Sequence, residues 1–379
     1  MATKTKRKQP VRGLEGVVAA ETSLSYVDGQ NGKLYYRGYD IDQLAGKVCY
    51  EEVVYLLWFG ELPNAETLDD WRSQIVSEMR LPSQVLELLR LSPPGANPMV
   101  VLRTAVSSLG LYDADGGKNT AVANQRKSRR ILAQVATIVA ALHRIHQGEP
   151  VMSPDKSLGF AANFLYMFTG IVPPKLDQSI FDTLLVLHAD HDLAASTFAA
   201  RATVSTLAGM HSAMASALAS LKGPLHGGAN TRVMEMLEEI ENPDAVDAYI
   251  DGMLASGQRI MGFGHRMYKT EDPRSRHLRR FSEKLCRRPQ SRHLAEISHN
   301  IEARVLEKKG IHPNVDFYSA TVQEALGIPK EYFTCIFAMA RTAGWIAHML
   351  EQFDDNRLIR PTSKYIGRFD RKLVPLAKR

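Results

Sequence analysis

The sequence predicts an all-α fold of two helical domains with one small β-hairpin near the N-terminus. Three observations predict it. Strand signals are nearly confined to residues 17–37. Beyond Gly38 the apolar residues recur at helical spacing, punctuated by glycine and proline. A long run from Phe181 to Leu221 is rich in Ala, Ser, Thr and Leu, the composition of helices packed closely on one another or across a subunit interface.

Each element has a local reason. In VVAAETSLSYVDGQNGKLYYRG, β-prone runs flank Asp28-Gly29 and Asn31-Gly32, which is a hairpin pattern. EEVVYLLWFGELP has an apolar face and stops at Gly60 and Pro63, and RRILAQVATIVAALHRIHQGEP repeats that logic with Gly148 and Pro150. Residues 242–256 and 275–309 are more charged and amphipathic, as helices of a smaller, wetter domain should be. Punctuation near 223–228 and 327–329 marks two hinges. The predicted division is therefore a large domain of residues 1–223 and 331–379, interrupted by a small domain of residues 224–330.

Composition narrows the function classes. With 45% hydrophobic and 23% charged residues over 379 positions, the chain is globular and long enough for two domains. Its net charge of +6 comes partly from KTKRK at the start, expected to be a solvated tail. No nucleic-acid motif accompanies that charge, so nucleic acid is not an expected partner. A nucleotide-bearing small molecule would suit it better. Cys49, Cys286 and Cys335 are far apart and form no CxxC pair, which argues against disulfides or a structural zinc and suits a reducing cytoplasm. The longest apolar stretches are interrupted before they could span a bilayer, and MATKTKRKQPVR precedes no signal-peptide core. The expectation is a cytoplasmic protein without membrane partners.

Four segments place titratable groups among glycines or in apolar surroundings. In LHADHDLAASTFAAR, His188 and His191 are three apart and would share a face on a helix. A metal pair would need a third ligand, which is not identifiable, so a buried structural histidine and a substrate-binding one both remain open. In LKGPLHGGAN, His226 precedes two glycines and a helical pattern; a helix start there would keep the imidazole neutral and donating. A turn that merely needs glycine fits as well. In IMGFGHRMYKTEDPR, His265 follows a Gly-x-Gly turn that lacks the third glycine of a dinucleotide fingerprint, and Arg266, Lys269 and Arg274 follow. Arg274 could fork a carboxylate or form a surface ion pair. In HPNVDFYSATVQEALGIP, Asp316 stands between Val315 and Phe317, where burial would make it a stronger base, although the local pattern favours a helix-capping role.

Taken in order, these segments resemble the citrate synthase family over nearly the whole chain. LEGVVAAETSLSYVDGQNGKLYYRGYDI and YEEVVYLLWFGELP fit that family's order, as do GPLHGGAN, GFGHR and NVDFYS, which together are highly specific. The length is closest to the shorter, dimeric archaeal and Gram-positive type. The resemblance implies a two-domain all-α homodimer whose cleft condenses acetyl-CoA with oxaloacetate and water to citrate and CoA. It implies Asp316 as the base, His226 as the donor to the thioester carbonyl, and His265 as the group that polarises the oxaloacetate carbonyl. His191, Arg274 and Arg341 match oxaloacetate-binding positions, and Arg360 matches an arginine supplied by the neighbouring subunit. The assignment of His188 stays open. Arg266 and Lys269 would meet CoA phosphates. No metal and no permanently bound cofactor is implied; acetyl-CoA is a co-substrate.

Elementary chemistry agrees with that set. A thioester's α-proton is weakly acidic, so the base needs a placed donor at the oxygen where charge develops. Two carbonyls react, hence two donors, and a dicarboxylate calls for arginine forks. The nearest competitor is 2-methylcitrate synthase, acting on propionyl-CoA, because one methylene separates substrates by only about 1–3 kcal/mol. A citryl-CoA lyase fits less well. A silent helical scaffold or a nucleic-acid binder gives no reason for His226, His265 and Asp316 to coexist.

Overall fold

The computed structural model describes residues 10–240, 242–288 and 291–379; the basic KTKRK run lies outside them. Three short strands, β1 (Ser25–Asp28), β2 (Lys33–Tyr36) and β3 (Tyr39–Asp40), form one antiparallel sheet in the order β1-β2-β3. The hairpin register runs from Ser25 opposite Tyr36 to Asp28 opposite Lys33. Ser25, Val27, Leu34 and Tyr36 are buried on one face while Tyr26 and Lys33 face solvent, the period-two pattern of a half-buried sheet. The sheet is shorter at its start than the sequence predicts and gains a third strand. Residues 17–22 stay irregular: Val17 and Val18 are exposed and meet no pairing strand.

Ten helices follow: α1 (Ile41–Leu44), α2 (Tyr50–Phe59), α3 (Ala65–Ser77), α4 (Ser83–Arg90), α5 (Pro98–Tyr112), α6 (Ala121–His146), α7 (Phe160–Thr169), α8 (Lys175–His188), α9 (Ala195–Val204) and α10 (Met210–Leu221). Then come α11 (Ala229–Glu238), α12 (Val246–Ala255), α13 (Pro273–Leu285), α14 (Arg292–Lys309) and α15 (Val315–Ala325), and the chain returns in α16 (Phe333–Asp354). The stop signals act as predicted: α2 ends at Gly60 and α6 ends two residues before Gly148.

The core gathers round α16. Phe333, Ile336, Met339, Trp345, Ile346 and Met349 are all fully buried, so this helix is apolar nearly all round and packs on α2, α6, α8, α9 and α10. Truncating one such side chain to alanine is expected to cost about 2–5 kcal/mol. The alanine-rich run folds into α9 and α10, whose small Ala200, Ala213 and Ala217 let the two helices lie against each other within one chain. Helices α11 to α15 form a second layer, α13 and α11 on α15 and α12 on α14, with Leu237, Leu278, Ile297 and Phe317 inside. Among the described residues, no helix is long and apolar enough to cross a membrane.

Candidate active site

Two backbone devices position the segments that carry His226 and His265. The first holds GPLHGG. His226 N–H and Gly227 N–H both donate to the Gly223 carbonyl at 2.9 Å. A Cβ on Gly227 would lie 2.0 Å from the Leu221 carbonyl oxygen, so only glycine fits that tight return. Arg232 closes the loop from α11, donating to Gly228 O at 3.3 Å and Pro224 O at 2.9 Å. The second device joins GFG to the segment before α15. Phe263 bridges Pro313, Gly264 N–H donates to His312 O at 3.0 Å, and Asn314 donates to Gly262 O and Gly264 O, both at 2.8 Å. The segments that lead into His265 and Asp316 are thereby paired.

Each histidine is wired through one nitrogen. At His226, Trp345 Nε1–H can only donate, and it reaches Ser196 Oγ at 3.1 Å. Ser196 Oγ then turns its hydrogen to His226 Nε2 at 2.8 Å, and Ser196 N–H points to the same atom at 3.3 Å. Nε2 therefore accepts, and the neutral ring carries its proton on Nδ1. At His265 the pattern is inverted. Met267 N–H and Tyr268 N–H both donate to Nδ1, at 3.0 and 3.3 Å, which leaves the proton on Nε2. Burial, followed by the Arg341 charge, lowers His226 to about 4. Burial, followed by Arg274, does the same for His265. The neutrality expected of His226 thus holds, but burial leads and a helix dipole is not needed.

His191 stands 5.2 Å from His265 between ring centroids, and its Nε2 meets the Tyr268 hydroxyl at 3.2 Å. Burial and then Arg274 keep it well below the usual imidazole range. The shared helical face expected for His188 and His191 is not what forms. His188 is the last residue of α8, and the chain turns through Asp192 with φ 52°, so His191 lies past the helix. His188 is buried, its Nδ1 2.8 Å from Leu184 O, and it packs edge-on to Phe337.

The cations are interior. Arg274 is 2% exposed and forks Asp272, with Nε to Oδ1 at 3.0 Å and Nη2 to Oδ2 at 2.8 Å; it is not a surface pair. Asp272 also caps α13 and accepts from Val315 N–H at 3.1 Å, tying Arg274 to the start of α15. Burial opposes ionisation of Asp272, yet Arg274 outweighs it and holds the carboxyl below its ordinary value. Arg341, from α16, is also 2% exposed; its Nε donates to His188 O at 2.7 Å and its guanidinium lies 4.7 Å from the centre of the Phe337 ring. No hydrogen bond among the described residues engages Nη1 of Arg274 or either Nη of Arg341. Those N–H groups are free to meet a carboxylate.

Asp316 is the second residue of α15, and the cap is Asn314, whose Oδ1 accepts Asp316 N–H at 3.0 Å. The part-buried Asp316 carboxylate makes no hydrogen bond among the described residues. Burial raises it to about 6, against the opposing pull of Arg274. Arg341 and Arg232 also act on it, and Arg341 acts on His226 as well, so the two groups share one cation.

The remaining predicted residues lie further out. Arg266 and Lys269 are exposed; Arg266 Nη2 sits 3.9 Å from Glu15 and Lys269 Nζ is 3.5 Å from Arg266 O. Arg360 is exposed on the extended chain after α16 and is not gathered with the others. Sequence reasoning missed Ser196, Trp345, Tyr268, Asp272, Asn314 and Arg232. Asp272 was within reach, since Asp-Pro before a helical run is a start signal.

Two oppositely wired neutral histidines, a raised carboxylate and two buried arginines suit carbonyl chemistry on an anionic substrate. The family model for the citrate synthase C-terminal domain matches residues 13–362. The citrate synthase of Haloferax volcanii is 44% identical over 373 residues, covering 97% of this chain and 98% of that protein. The crystal structure of citrate synthase from Pyrobaculum aerophilum superposes with a TM-score of 0.91 at 39% identity, covering 97% of this chain and 95% of that one. The ternary complex of the Thermoplasma acidophilum citrate synthase with carboxymethyl coenzyme A and oxaloacetate superposes with a TM-score of 0.92 at 32% identity, covering 98% and 100%. The chain belongs to the citrate synthase family, and it is an enzyme of that transferase type.

Proposed function

We propose that this enzyme condenses acetyl-CoA with oxaloacetate and water to give citrate and CoA, with no permanently bound cofactor. The observation that carries the reading is the pairing of a raised Asp316 carboxylate with two neutral histidines whose protons sit on opposite ring nitrogens. Asp316 removes a proton from the acetyl methyl group. His226 Nδ1–H donates to the thioester oxygen as charge moves onto it, held in register by Ser196 and Trp345. His265 Nε2–H donates to the oxaloacetate carbonyl as the new carbon–carbon bond forms. The free N–H groups of Arg274 and Arg341, with His191, take the carboxylates of oxaloacetate. Water then cleaves the citryl thioester.

In this reading the segment 224–330 moves as a small domain about the predicted hinges and closes over the cleft, expelling water before condensation. The enzyme works as a homodimer in which each subunit lends Arg360 to its neighbour's site. The exposed Leu358, Tyr365, Ile366 and Phe369 of the C-terminal stretch support this, being apolar surface that a second subunit would cover. Arg266 and Lys269 meet the CoA phosphates. Three free cysteines, two of them buried, suit the cytoplasm.

Release of free thiol from acetyl-CoA, with and without oxaloacetate, tests the reaction. Oxaloacetate-dependent release is expected, with a higher kcat/KM for acetyl-CoA than for propionyl-CoA. A preference for propionyl-CoA would make the protein a 2-methylcitrate synthase, and no release with either would refute the condensation. Small-angle scattering with oxaloacetate is expected to show a smaller radius; an unchanged radius refutes closure.

A further inference from the structure

Residues 264–271, which carry His265, contain no helix or strand, so contacts from outside must set their geometry. Beyond the bonds from His312 and Asn314 to Gly264, the turn between β1 and β2 supplies a group of them. Lys269 N–H donates to the Gly29 carbonyl at 2.8 Å. A Cβ on Gly29 would stand 2.1 Å from Met267 O, 2.7 Å from Met267 C and 3.4 Å from Tyr268 N. At Gly32, where φ is +61°, a Cβ would stand 2.6 Å from Thr270 Oγ1 and 2.8 Å from Glu271 O. Gly32 is buried although Asn31 and Lys33 beside it are exposed, so the His265 segment lies over it. Backbone meets backbone here, an approach that a side chain would block.

The peptide that Gly29 abuts is the one between Met267 and Tyr268. Its N–H belongs to Tyr268 and is one of the two donors fixed on His265 Nδ1. Displacing that peptide would move a donor that sets the tautomer and direction of the His265 ring. The turn is stiff enough to act as a seat: Asp28 accepts from Asn31 N at 3.0 Å and from Asn31 Nδ2 at 2.7 Å. The other end of the same hairpin grips the His191 segment. Ser25 Oγ donates to Asp190 Oδ2 at 2.5 Å and accepts from Asp192 N–H at 2.9 Å, while Tyr36 OH donates to Asp190 O at 2.9 Å.

We infer that the N-terminal hairpin is a positioning element for the reaction, holding the His265 segment against the His191 segment, with Gly29 and Gly32 as its positioning residues. This rests on the condensation proposed above. The hairpin acts through backbone, and its glycines are required by the seat rather than by the turn alone.

Gly29→Ala tests it, with Gln30→Ala, at the exposed neighbouring turn position, as the control. Wild-type thiol release is measured first, because its absence would refute the condensation and leave the hairpin a separate question. With the wild type active, Gly29→Ala is expected to lose about 10- to 100-fold in kcat, the range for a displacement near 1 Å. The dissociation constant for oxaloacetate should move much less, since Arg274 and Arg341 keep their places. Hydrogen exchange should quicken across residues 266–271 while β1, β2 and the core helices keep wild-type protection. Gln30→Ala should match the wild type. Wild-type kcat in Gly29→Ala would overturn the inference, as would faster exchange spread over the whole protein. Should Gly29→Ala fail to fold, Asn31→Ala loosens the turn without added bulk, and the same two readouts decide.

Discussion

Replacing Asp316 by Asn should cost activity and add stability, and the sign of the second effect follows from burial. The carboxyl sits at about 6 in the folded protein against an ordinary 3.8. The folded state therefore holds the Asp316 proton more tightly than the unfolded chain does. Stability contributed by the protonated form is present below pH 3.8, falls as pH rises toward 6, and is gone above it. At about 1.4 kcal/mol per pH unit the difference has a ceiling of roughly 3 kcal/mol. Asp316 is part-buried and solvent screens some of that, so about 1–2 kcal/mol is expected at pH 8. An asparagine is neutral throughout. Denaturant titration should find Asp316→Asn more stable than the wild type at pH 8 and equal to it near pH 4. Thiol release should fall about 10²–10⁴-fold, the usual contribution of a general base, while calorimetry still shows oxaloacetate binding. A variant that gains nothing at pH 8, or gains equally at both pH values, would mean burial does not strain this carboxylate. Wild-type turnover would remove Asp316 from the role of base.

Three further outcomes are expected. The kcat/KM profile should have an acid limb near pH 6 from Asp316, with roughly a tenth of the base ionised at pH 5; the histidines, at about 4, should add nothing above that. Ser196→Ala should lower kcat about tenfold through loss of the His226 tautomer lock, with little change in the oxaloacetate dissociation constant; an unchanged kcat would deny the lock. When Asp316→Asn and Arg360→Ala subunits, each inactive alone, are unfolded and refolded together, about a quarter of wild-type activity should return if Arg360 serves the neighbouring site. No recovery would place Arg360 in its own site or in none.

The class of fold was legible because it rests on periodicity and punctuation, which are local. EEVVYLLWFG shows its face and its stop within a few turns. The site was legible where glycine marks a close approach, as before His265 and after His226. What stayed hidden depends on contacts between distant segments. Nothing local says that α8 ends at His188. It ends there because Gly344 N–H takes the Ala189 carbonyl at 3.0 Å and the Tyr36 hydroxyl takes that of Asp190. Ser196 likewise reads as one of many small residues in an alanine-rich run until Trp345, far along the chain, donates to it. The local pattern favoured Asp316 as a cap, and the structure corrects it, since Asn314 takes that position.

The arginines that would bind oxaloacetate also hold the histidines neutral, so substrate and proton affinity should be coupled. After burial, Arg274 is the leading cause that lowers both His265 and His191, and Lys269 lowers His265 further. A dicarboxylate lodged on Arg274 and Arg341 would offset those positive charges while leaving the rings where they are. An opposing charge within a few ångströms typically moves a titrating group by about 1–3 pH units, whereas His265 is already largely desolvated, so closure adds less in the other direction. The net effect should be upward. Oxaloacetate alone should then raise the titration midpoint of His265, followed by the imidazole resonances in NMR, and make the ring a better holder of the proton it shares with the substrate carbonyl. Lys269→Ala should show a higher starting midpoint and the same upward movement. A midpoint that stays put or falls on oxaloacetate binding would mean closure outweighs charge, and His265 would then polarise the carbonyl as a neutral donor from start to finish.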